Sequence, residues 1–520
     1  MRCSEVPALT EQFPTSILRS QCPTDSQQME ILANRPIWRW LAAAVTGAAL
    51  NSVQGLHPWW PIAWVAPIPL LIAVLSASSR KEIFGIVLLA SLLGQCSTAA
   101  YYIAAASAGN LPAGVTALIA AFFTLPRVIP LLALVVIWRL IVGDAVRWYS
   151  TLLFSIAAAA MDVFFSAISS NGTFASWANS QVDALAVIQA AALGGTPAIV
   201  FLITLPASAI AIAVVRRGNL DMPLMAYGLP ALILSAVLSF GVQRVREPYN
   251  PARLRVGLVA VDRADMQPSD AGGADDPTLT AYLDAAAGLA AKGAQLVVLP
   301  EKIEALADTA AACARTRFSD WARDHREPLL VGVWVMMAEH SENRAWLFGR
   351  DGALEVNYAK HHLVPLVETR VGRFRPGARY AMYSWNAHRL GVAICKDMYF
   401  PALTRVYGRA GAEALLVPAW DFDIDGQFHA RVAVLRGVEE GAGVIRAARH
   451  GMLTVSDPFG RIVAEESSAS ARVATLAVAA PLDGCGTLYE RTGDVLGWVC
   501  VAIVGLLGLS KIRAATKARG

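Results

Sequence analysis

Leu296-Val-Val-Leu-Pro-Glu301 decides the fold of the second half of this chain, because a short apolar run here stops at a proline and a carboxylate. An uninterrupted apolar run of this length is typical of a strand buried on both faces. Two other apolar runs lead in the same way to Lys360, in Tyr358-Ala-Lys-His-His-Leu-Val-Pro365, and to Cys395, in Gly391-Val-Ala-Ile-Cys395. Because α/β folds gather chemistry at strand ends, we predict that these three residues meet in one site.

The residues around this trio alternate between strand and helix patterns. Pro277–Lys292 repeats apolar residues at helical spacing, whereas Pro328–Met337 is an apolar run of strand length. Asp351-Gly352, between two strand-like runs, predicts a hairpin turn. Alternation of this kind predicts an α/β sandwich over residues 250–482.

The first half of the chain has a different composition. Of the 520 residues, 55% are hydrophobic and 16% are charged, against about 45–50% and about 25% in an average soluble domain. The excess lies in residues 37–242, and a membrane-spanning helix needs about 20 mostly apolar residues. We therefore predict a multi-pass α-helical membrane domain with about eight spans. The predicted spans are about 37–55, 59–77, 83–106, 113–138, 148–169, 185–215 and 223–243, with an eighth at about 494–510.

The distribution of lysine and arginine predicts the orientation of these spans. Basic pairs such as Arg80 with Lys81 and Arg216 with Arg217 fall in alternate short loops, while loops such as 107–112 carry almost none. This pattern places both termini in the cytoplasm and the α/β domain outside. The predicted segments are a disordered leader over 1–34, a membrane domain of seven helices over 35–245, the extracytoplasmic domain over 250–482, and a last span with a basic tail over 490–520.

The remaining features exclude some functions and leave others open. The net charge is +4 and the basic residues form no stripe, so we predict no nucleic-acid partner. The seven cysteines show no metal-ligand spacing, and we predict no cofactor. Asp162 lies inside the fifth predicted span, where an unpaired charge is costly, so structural pairing and function are both open for it. The uncharged segment 174–181 is either an interfacial aromatic belt or part of the function.

A carboxylate, an ammonium and a thiol are the components of a thiol acyl-transfer site. A thiol becomes a nucleophile when a base removes its proton or a positive charge stabilises the thiolate. Glu301 would act as the base, while Lys360 would supply the charge and stabilise the oxyanion of a tetrahedral intermediate. A lone cysteine such as Cys395 after an apolar strand is usually a core thiol, so the prediction depends on the order and contexts of all three.

With these motifs, residues 250–480 resemble the carbon–nitrogen hydrolase (nitrilase) superfamily, whose triad is Glu, Lys and Cys in this order. The resemblance implies a nitrilase-like four-layer α-β-β-α sandwich. It also implies supporting roles for Glu368, which follows Leu-Val-Pro365 by three residues and would orient Lys360 or Glu301, and for Glu439, which shares a predicted helix with Arg436.

The membrane half narrows the resemblance to one branch of that superfamily. Spans on both sides of the domain, with Phe174-Ala-Ser-Trp177 and Thr487-Leu-Tyr489 at matching places, resemble the apolipoprotein N-acyltransferases. This resemblance implies a bacterial inner-membrane enzyme. Its partners would be a phospholipid acyl donor and the N-terminal amine of a diacylglyceryl-cysteine lipoprotein acceptor.

The chain departs from the family pattern beside the nucleophile. The family usually has Cys-Tyr-Glu there, whereas this chain has Cys395-Lys396-Asp397, and Leu366-Val367-Glu368 stands where Phe-Gly-Glu is usual. The carboxylates of Asp397 and Glu368 are kept. Lys396 adds a cation that either lowers the thiol pKa, binds an anionic headgroup or is solvated.

Two other functions stay open at this point. A membrane-tethered nitrilase-type amidase, or an N-acyltransferase for another amine, would use the same triad, and the Cys-Lys-Asp departure keeps both in view. A transporter or scaffold with an inactive nitrilase-like domain is a third reading, but the complete triad argues against it.

Overall fold

The computed structural model describes residues 37–108, 112–143, 146–216, 223–262 and 277–517, so the predicted leader over 1–34 lies outside the described residues. The α-helices are α1 (Ile37–Gln54), α2 (Ile68–Ser76), α3 (Arg80–Leu93), α4 (Cys96–Ala108), α5 (Ala113–Thr124), α6 (Val128–Val142), α7 (Ser150–Ile168), α8 (Leu185–Ile188), α9 (Ala191–Val215), α10 (Met225–Arg246), α11 (Pro277–Ala291), α12 (Asp308–His325), α13 (Pro401–Arg409), α14 (Gly426–Glu440), α15 (Leu488–Thr492) and α16 (Val495–Lys517). The β-strands are β1 (Ala252–Ala260), β2 (Leu296–Val298), β3 (Glu304–Ala307), β4 (Leu329–Met336), β5 (Ser341–Phe348), β6 (Leu354–Ala359), β7 (Met382–Trp385), β8 (His388–Val392), β9 (Ala414–Trp420), β10 (Gly443–Arg449), β11 (Met452–Ser456), β12 (Ile462–Ser467) and β13 (Ala474–Leu482).

The membrane half is a bundle of apolar helices. Six helical stretches among the described residues are long and apolar enough to cross a membrane: Arg80–Ser107, Ala113–Val142, Ser150–Ile168, Ala191–Val215, Met225–Arg246 and Val495–Ala514. The other two predicted spans correspond to α1, which has 18 residues, and to the shorter apolar stretch Trp60–Ser76. The prediction of a multi-pass helical membrane domain is confirmed, although only six of about eight predicted spans have full spanning length and apolarity.

The break predicted in the sixth span lies near the start of α9. Gly194 and Gly195 have non-helical backbone angles, and Gly195 has a positive φ of 69°. A Cβ at Gly195 would lie 2.5 Å from the Tyr489 ring, so the glycine lets the segment before the last span pack against this break. Asp162 interacts with Thr196, directly after the break, and with Ser176.

Two sheets form the α/β domain. The first has the strand order β13-β1-β2-β4-β5-β6, with β3 beside β4, and the second has the order β12-β11-β10-β9-β8-β7. Strands β1, β2 and β4 run parallel, as do β8, β9 and β10, while hairpins add antiparallel strands at the edges. The parallel centres bring the ends of β2, β8 and β9 to one region of the sandwich.

Alternate side chains of the central strands face two different layers. Val298 and Leu416 lie in the core between the two sheets. Val297 faces α11 and α12, while Leu415 faces α13 and α14, on the outer side of each sheet. Because both faces of these strands are covered, they read as continuous apolar runs. The predicted four-layer α-β-β-α sandwich is confirmed.

Two elements differ from the sequence prediction. Helix α12 begins at Asp308, whereas Phe318–His325 alone has recognisable helical spacing. The residues before Phe318 are rich in alanine, which favours a helix but marks no apolar face. Strand β13 has no predicted counterpart, because its exposed and buried residues do not alternate regularly, yet it pairs with β1 along its whole length.

Hydrogen bonds fix the α/β domain on the membrane helices. The Tyr101 hydroxyl in α4 donates to Asp425 Oδ2 at 2.8 Å, and Thr173 Oγ1 donates to the Tyr399 carbonyl at 3.0 Å. Gly172 has a φ of 50°, and a Cβ there would lie 2.3 Å from the same carbonyl. Within the segment 174–181, the Phe174 ring packs against Tyr399 and Phe428 of the α/β domain, and Gln181 accepts a hydrogen bond from Trp64, so this segment lies at the junction between the two halves.

Candidate active site

Glu301 and Lys360 form a buried ion pair where β2 and β6 end. The Lys360 ammonium Nζ lies 2.9 Å from Glu301 Oε1, and both side chains are almost completely buried. Asn343 in β5 donates from Nδ2 to the same oxygen at 2.5 Å. Glu301 Oε2 is also buried, and it accepts no hydrogen bond from the described residues. One carboxylate oxygen is thus fixed, while the other is available for a proton.

Glu368 completes this cluster from a π-turn over Val367–Val371. Its carboxylate lies 3.1 Å from Lys360 Nζ and accepts hydrogen bonds from Asn343 at 2.9 Å and from the Val364 backbone at 2.8 Å. Lys302 Nζ donates to Glu368 Oε1 at 2.6 Å. Lys302 itself lies between the rings of Phe374 and Trp420, 5.1 and 5.2 Å from their centres. Two carboxylates and two ammonium groups therefore balance each other.

The charge balance sets the ionisation of the cluster. Burial lowers the pKa of Lys360, but the carboxylates of Glu301 and Glu368 oppose it and hold that pKa well above its usual value. Burial raises the pKa of Glu368, but Lys360 and Lys302 outweigh burial and hold it far below its usual value. Both groups are charged near neutral pH, and an ammonium fixed in this state can stabilise an oxyanion.

Cys395 stands where the chain leaves the second sheet, at the start of the 3₁₀ turn Cys395–Tyr399. Its φ of 44° is in the left-handed region, a strained conformation of the kind that persists at functional sites. Burial raises the pKa of its thiol; the charge of Glu301 raises it further and that of Lys360 lowers it. The resting side chain is therefore a protonated thiol that needs a base.

The two residues after Cys395 hold neighbouring segments together. The Asp397 carboxylate accepts hydrogen bonds from the Ile394 and His362 backbones, at 3.0 and 2.8 Å, and from the Tyr358 hydroxyl at 2.7 Å. Lys396 is 4% exposed, and its Nζ donates to the Leu363 carbonyl at 2.9 Å. The alternative in which the Lys396 side chain is solvated is thus wrong. Burial, reinforced by the charge of Lys360, lowers the pKa of Lys396 to about 7.

Glu439 does not join this cluster. It lies at the end of α14, where its carboxyl group is 2.5 Å from the Arg436 guanidinium, and it faces Asp494 and the Thr196 backbone at the junction with the membrane helices. Because the last turn of α14 faces the broken helix α9, Glu439 contributes to the junction between the two halves. The prediction that Glu439 supports the triad is therefore wrong.

Sequence analysis missed Asn343 and Lys302. Asn343 is 1% exposed on an apolar strand of the predicted hairpin, and a buried amide there must find partners. That burial can be predicted from the strand alternation, but its two carboxylate partners come from distant segments. Lys302 directly follows Glu301 and carries no pattern of its own; its φ of 50° turns its side chain back to Glu368.

Among the residues that the structure describes, two groups of acidic and histidine side chains have atoms close enough to hold a metal ion: Asp262, Asp423 and His450, and Asp421, Asp425 and His429. In the second group Asp421 pairs with Arg446 at 2.6 Å, while Asp425 binds Tyr101 and His429, each at 2.8 Å. The guanidinium supplies a positive charge where a cation would sit. In the first group the Asp423 side chain is 66% exposed.

A cavity of about 590 Å³ lies between the membrane helices and the segment that carries Glu368. Apolar side chains such as Leu134, Phe165 and Val200 line it on the membrane side, and Leu366 and Arg370 line it on the catalytic side. Ligand pockets commonly have volumes of about 300–1,000 Å³. The cavity therefore adjoins the site on the side of the membrane helices.

Comparison with known proteins gives two family matches. Residues 264–482 match the carbon-nitrogen hydrolase family, and residues 42–209 match the N-terminal domain of apolipoprotein N-acyltransferase. The apolipoprotein N-acyltransferase of Geobacter metallireducens is 26% identical over 360 residues, which is 63% of this chain and 68% of that protein. That of Rhodopseudomonas palustris is 31% identical over 199 residues, or 33% of this chain and 35% of that protein.

Amidases match a smaller share of the chain. The deaminated glutathione amidase of a Synechocystis species is 30% identical over 206 residues, which is 34% of this chain and 76% of that protein. Among solved structures, an amidase from Nesterenkonia sp. covers 47% of this chain and 94% of its own, with 22% identity and a TM-score of 0.39.

Proposed function

This chain belongs to the carbon–nitrogen hydrolase superfamily and, within it, to the apolipoprotein N-acyltransferases, and from that premise we propose the reaction and the residues that perform it. Family membership makes it a bacterial membrane enzyme of the acyltransferase class, with lipid and lipoprotein as substrate classes. We propose that it moves an acyl chain from a phospholipid, through a thioester on Cys395, to the N-terminal amine of a diacylglyceryl-cysteine lipoprotein.

The first half-reaction forms the thioester. Glu301 takes the proton of the Cys395 thiol on Oε2, and the thiolate attacks an ester carbonyl of the phospholipid. The Lys360 ammonium and a backbone N–H near Lys396 stabilise the oxyanion. When the intermediate collapses, the C–O bond breaks, and the leaving lysophospholipid takes the proton back from Glu301.

The second half-reaction consumes the thioester. The α-amine of the lipoprotein attacks the thioester carbonyl, Glu301 accepts a proton from the nitrogen, and Cys395 leaves and is reprotonated. The product is an amide. Glu368 acts as a positioning residue, because it holds Lys360 and, through Asn343, Glu301. Ping-pong kinetics follow from this order.

One observation carries the proposal. Lys360 and Asn343 hold one oxygen of Glu301, while the other is buried without a partner among the described residues. The charge of this carboxylate acts on the Cys395 thiol, which needs a base. The apolar cavity on the bilayer side supports a lipid rather than a soluble acyl donor. We also propose that the α/β domain lies outside the cytoplasm with both termini inside, because short basic loops alternate with uncharged ones.

A labelled acyl donor tests the function. The full-length protein is incubated in detergent micelles with a phospholipid labelled in its acyl chain, and a base-labile protein adduct is measured with and without a diacylglyceryl lipopeptide. We expect an adduct that forms in the wild type and in the Cys485→Ala control but not in Cys395→Ala, and that the lipopeptide clears. An adduct on Cys395→Ala would overturn the mechanism. A thioester that water clears as fast as the lipopeptide would indicate a hydrolase instead.

A further inference from the structure

A charged side chain stands inside the membrane domain without a carboxylate partner. Arg127 lies in the 3₁₀ turn Leu125–Arg127, which interrupts the apolar stretch Ala113–Val142. Its guanidinium donates to Thr98 Oγ1 at 3.3 Å and lies 4.8 Å from the centre of the Phe174 ring. No Asp or Glu of the described residues pairs with it. An uncompensated charge at membrane depth is costly and marks a functional site.

Arg127 faces the cavity of about 590 Å³ described above, and a second arginine faces it from the other half of the chain. Arg370 belongs to the π-turn that also carries Glu368, so the cavity wall and the catalytic cluster share one short segment. The backbone turns that follow Cys395 and Gly172 are in contact through the Thr173–Tyr399 hydrogen bond. The cavity therefore has two cations on its wall and adjoins the nucleophile turn.

The arginines and apolar side chains that line this cavity suit a ligand with an anionic headgroup and a hydrocarbon chain. Arginine presents a planar fork of donors that matches a phosphate and loses less hydration than an ammonium. Asp162 also lines the cavity, but it interacts with Ser176 and Thr196 rather than with Arg127. An anion would be repelled at the Asp162 end, so its place is beside Arg127 and Arg370, with its hydrocarbon along the apolar wall.

We propose that Arg127 and Arg370 bind the phosphate of the acyl donor, so that the enzyme selects a phospholipid over an uncharged diacylglycerol with the same chains. This inference rests on the proposed function, because it takes the cavity as the donor site that supplies Cys395. Arg127 is the stronger contact, since it is the more enclosed of the two.

The test compares two donors in the full-length protein. Thioester formation on Cys395 is followed in detergent micelles with either a phospholipid or a diacylglycerol that carries the same labelled chain. We expect the wild type to prefer the phospholipid. Arg127→Gln should slow the reaction of the phospholipid by about 10–100-fold, as loss of charge-assisted hydrogen bonds does, and leave the diacylglycerol rate unchanged. Arg127→Lys should keep part of the preference, and Arg370→Gln should lose less of it.

Matched controls separate this inference from its premise. Arg139→Gln changes another arginine of the same membrane stretch, and Arg373→Gln another arginine next to the π-turn; neither lines the cavity, so both should keep the preference. Equal slowing of both donors in Arg127→Gln, or no slowing of either, would overturn the phosphate site. If the wild type forms no thioester from either donor, the proposed function itself fails.

Discussion

Two clusters of buried charged side chains in this protein differ in their balance of positive and negative charge. At the active site, the carboxylates of Glu301 and Glu368 face the ammonium groups of Lys302 and Lys360, all at distances of 2.6–3.7 Å. At the junction between the two halves, Glu439 and Glu440 face Arg436, and Asp494 adds negative charge.

This difference shows that the number of nearby positive charges decides whether a buried carboxyl group is ionised in this protein. Both clusters are buried, and burial raises the pKa of Glu368, Glu439 and Glu440. The lysines reverse this at Glu368 and hold its pKa below its usual value. At the junction, burial outweighs Arg436 and raises the pKa of Glu439 to about 8 and that of Glu440 well above its usual value. The first cluster is charged and suited to catalysis, and the second can be protonated at neutral pH.

Among the changes to these two clusters, neutralising Glu301 is expected to have the largest effect on the rate of thioester formation. Glu301→Gln keeps an oxygen for Lys360 and Asn343 but removes the base. The rate of thioester formation should fall by about 10²–10⁴-fold, the usual contribution of a general base, as measured by single-turnover labelling. Glu355→Gln, on an exposed position of β6, should keep the full rate. A Glu301→Gln protein that is labelled at the wild-type rate would remove Glu301 from the mechanism.

Glu368→Gln removes one of the two negative charges that balance Lys302 and Lys360. A buried charge left without its partner is strongly destabilising, and Lys360 loses its orientation, so we expect slower thioester formation, by about 10–100-fold, and a lower thermal midpoint. The folded-state pKa of Glu368 is depressed, so its stabilisation is present above about 4.5 and is lost as the pH falls below that value. The difference in midpoint from the wild type should be large at pH 7 and shrink on acidification; a difference that does not depend on pH would mean that the charge is not what stabilises.

Glu439→Gln should have the opposite dependence on pH. The folded-state pKa of Glu439 is raised from 4.5 to about 8, so its stabilisation is fully present below about 4.5 and is lost as the pH rises through about 8. A glutamine cannot ionise, so the variant should match the wild type at pH 5 and exceed its thermal midpoint by roughly a few degrees at pH 9. Its rate of thioester formation should be unchanged. A variant less stable than the wild type at pH 9 would show that Glu439 is an ionised partner of Arg436.

The same comparison shows what the sequence can and cannot predict. The apolar runs before Glu301 and Cys395 predict buried strands, because strands covered on both faces leave no polar alternation. The ends of those strands predict the cluster. Arg127 carries no recognisable signal within its predicted span, and the resemblance places Glu439 at the triad, whereas the structure places it at the junction with the membrane helices. Their roles depend on which distant segment faces them, and local patterns do not contain that information.

Lys396 gives the smallest expected effect and tests the one departure from the family pattern beside the nucleophile. Burial lowers its pKa to about 7, so it carries a charge next to Cys395 only below that pH. A charged Lys396 favours the thiolate, whereas a neutral one still donates to the Leu363 carbonyl. The ratio of thioester-formation rates between wild type and Lys396→Met should therefore be a few-fold below pH 7 and decline toward one above pH 8, while Lys292→Met, at an exposed position, should leave the rate unchanged throughout. A ratio that is constant with pH would mean that Lys396 acts only through its hydrogen bond. That bond connects the turn after Cys395 to the segment that leads to Glu368.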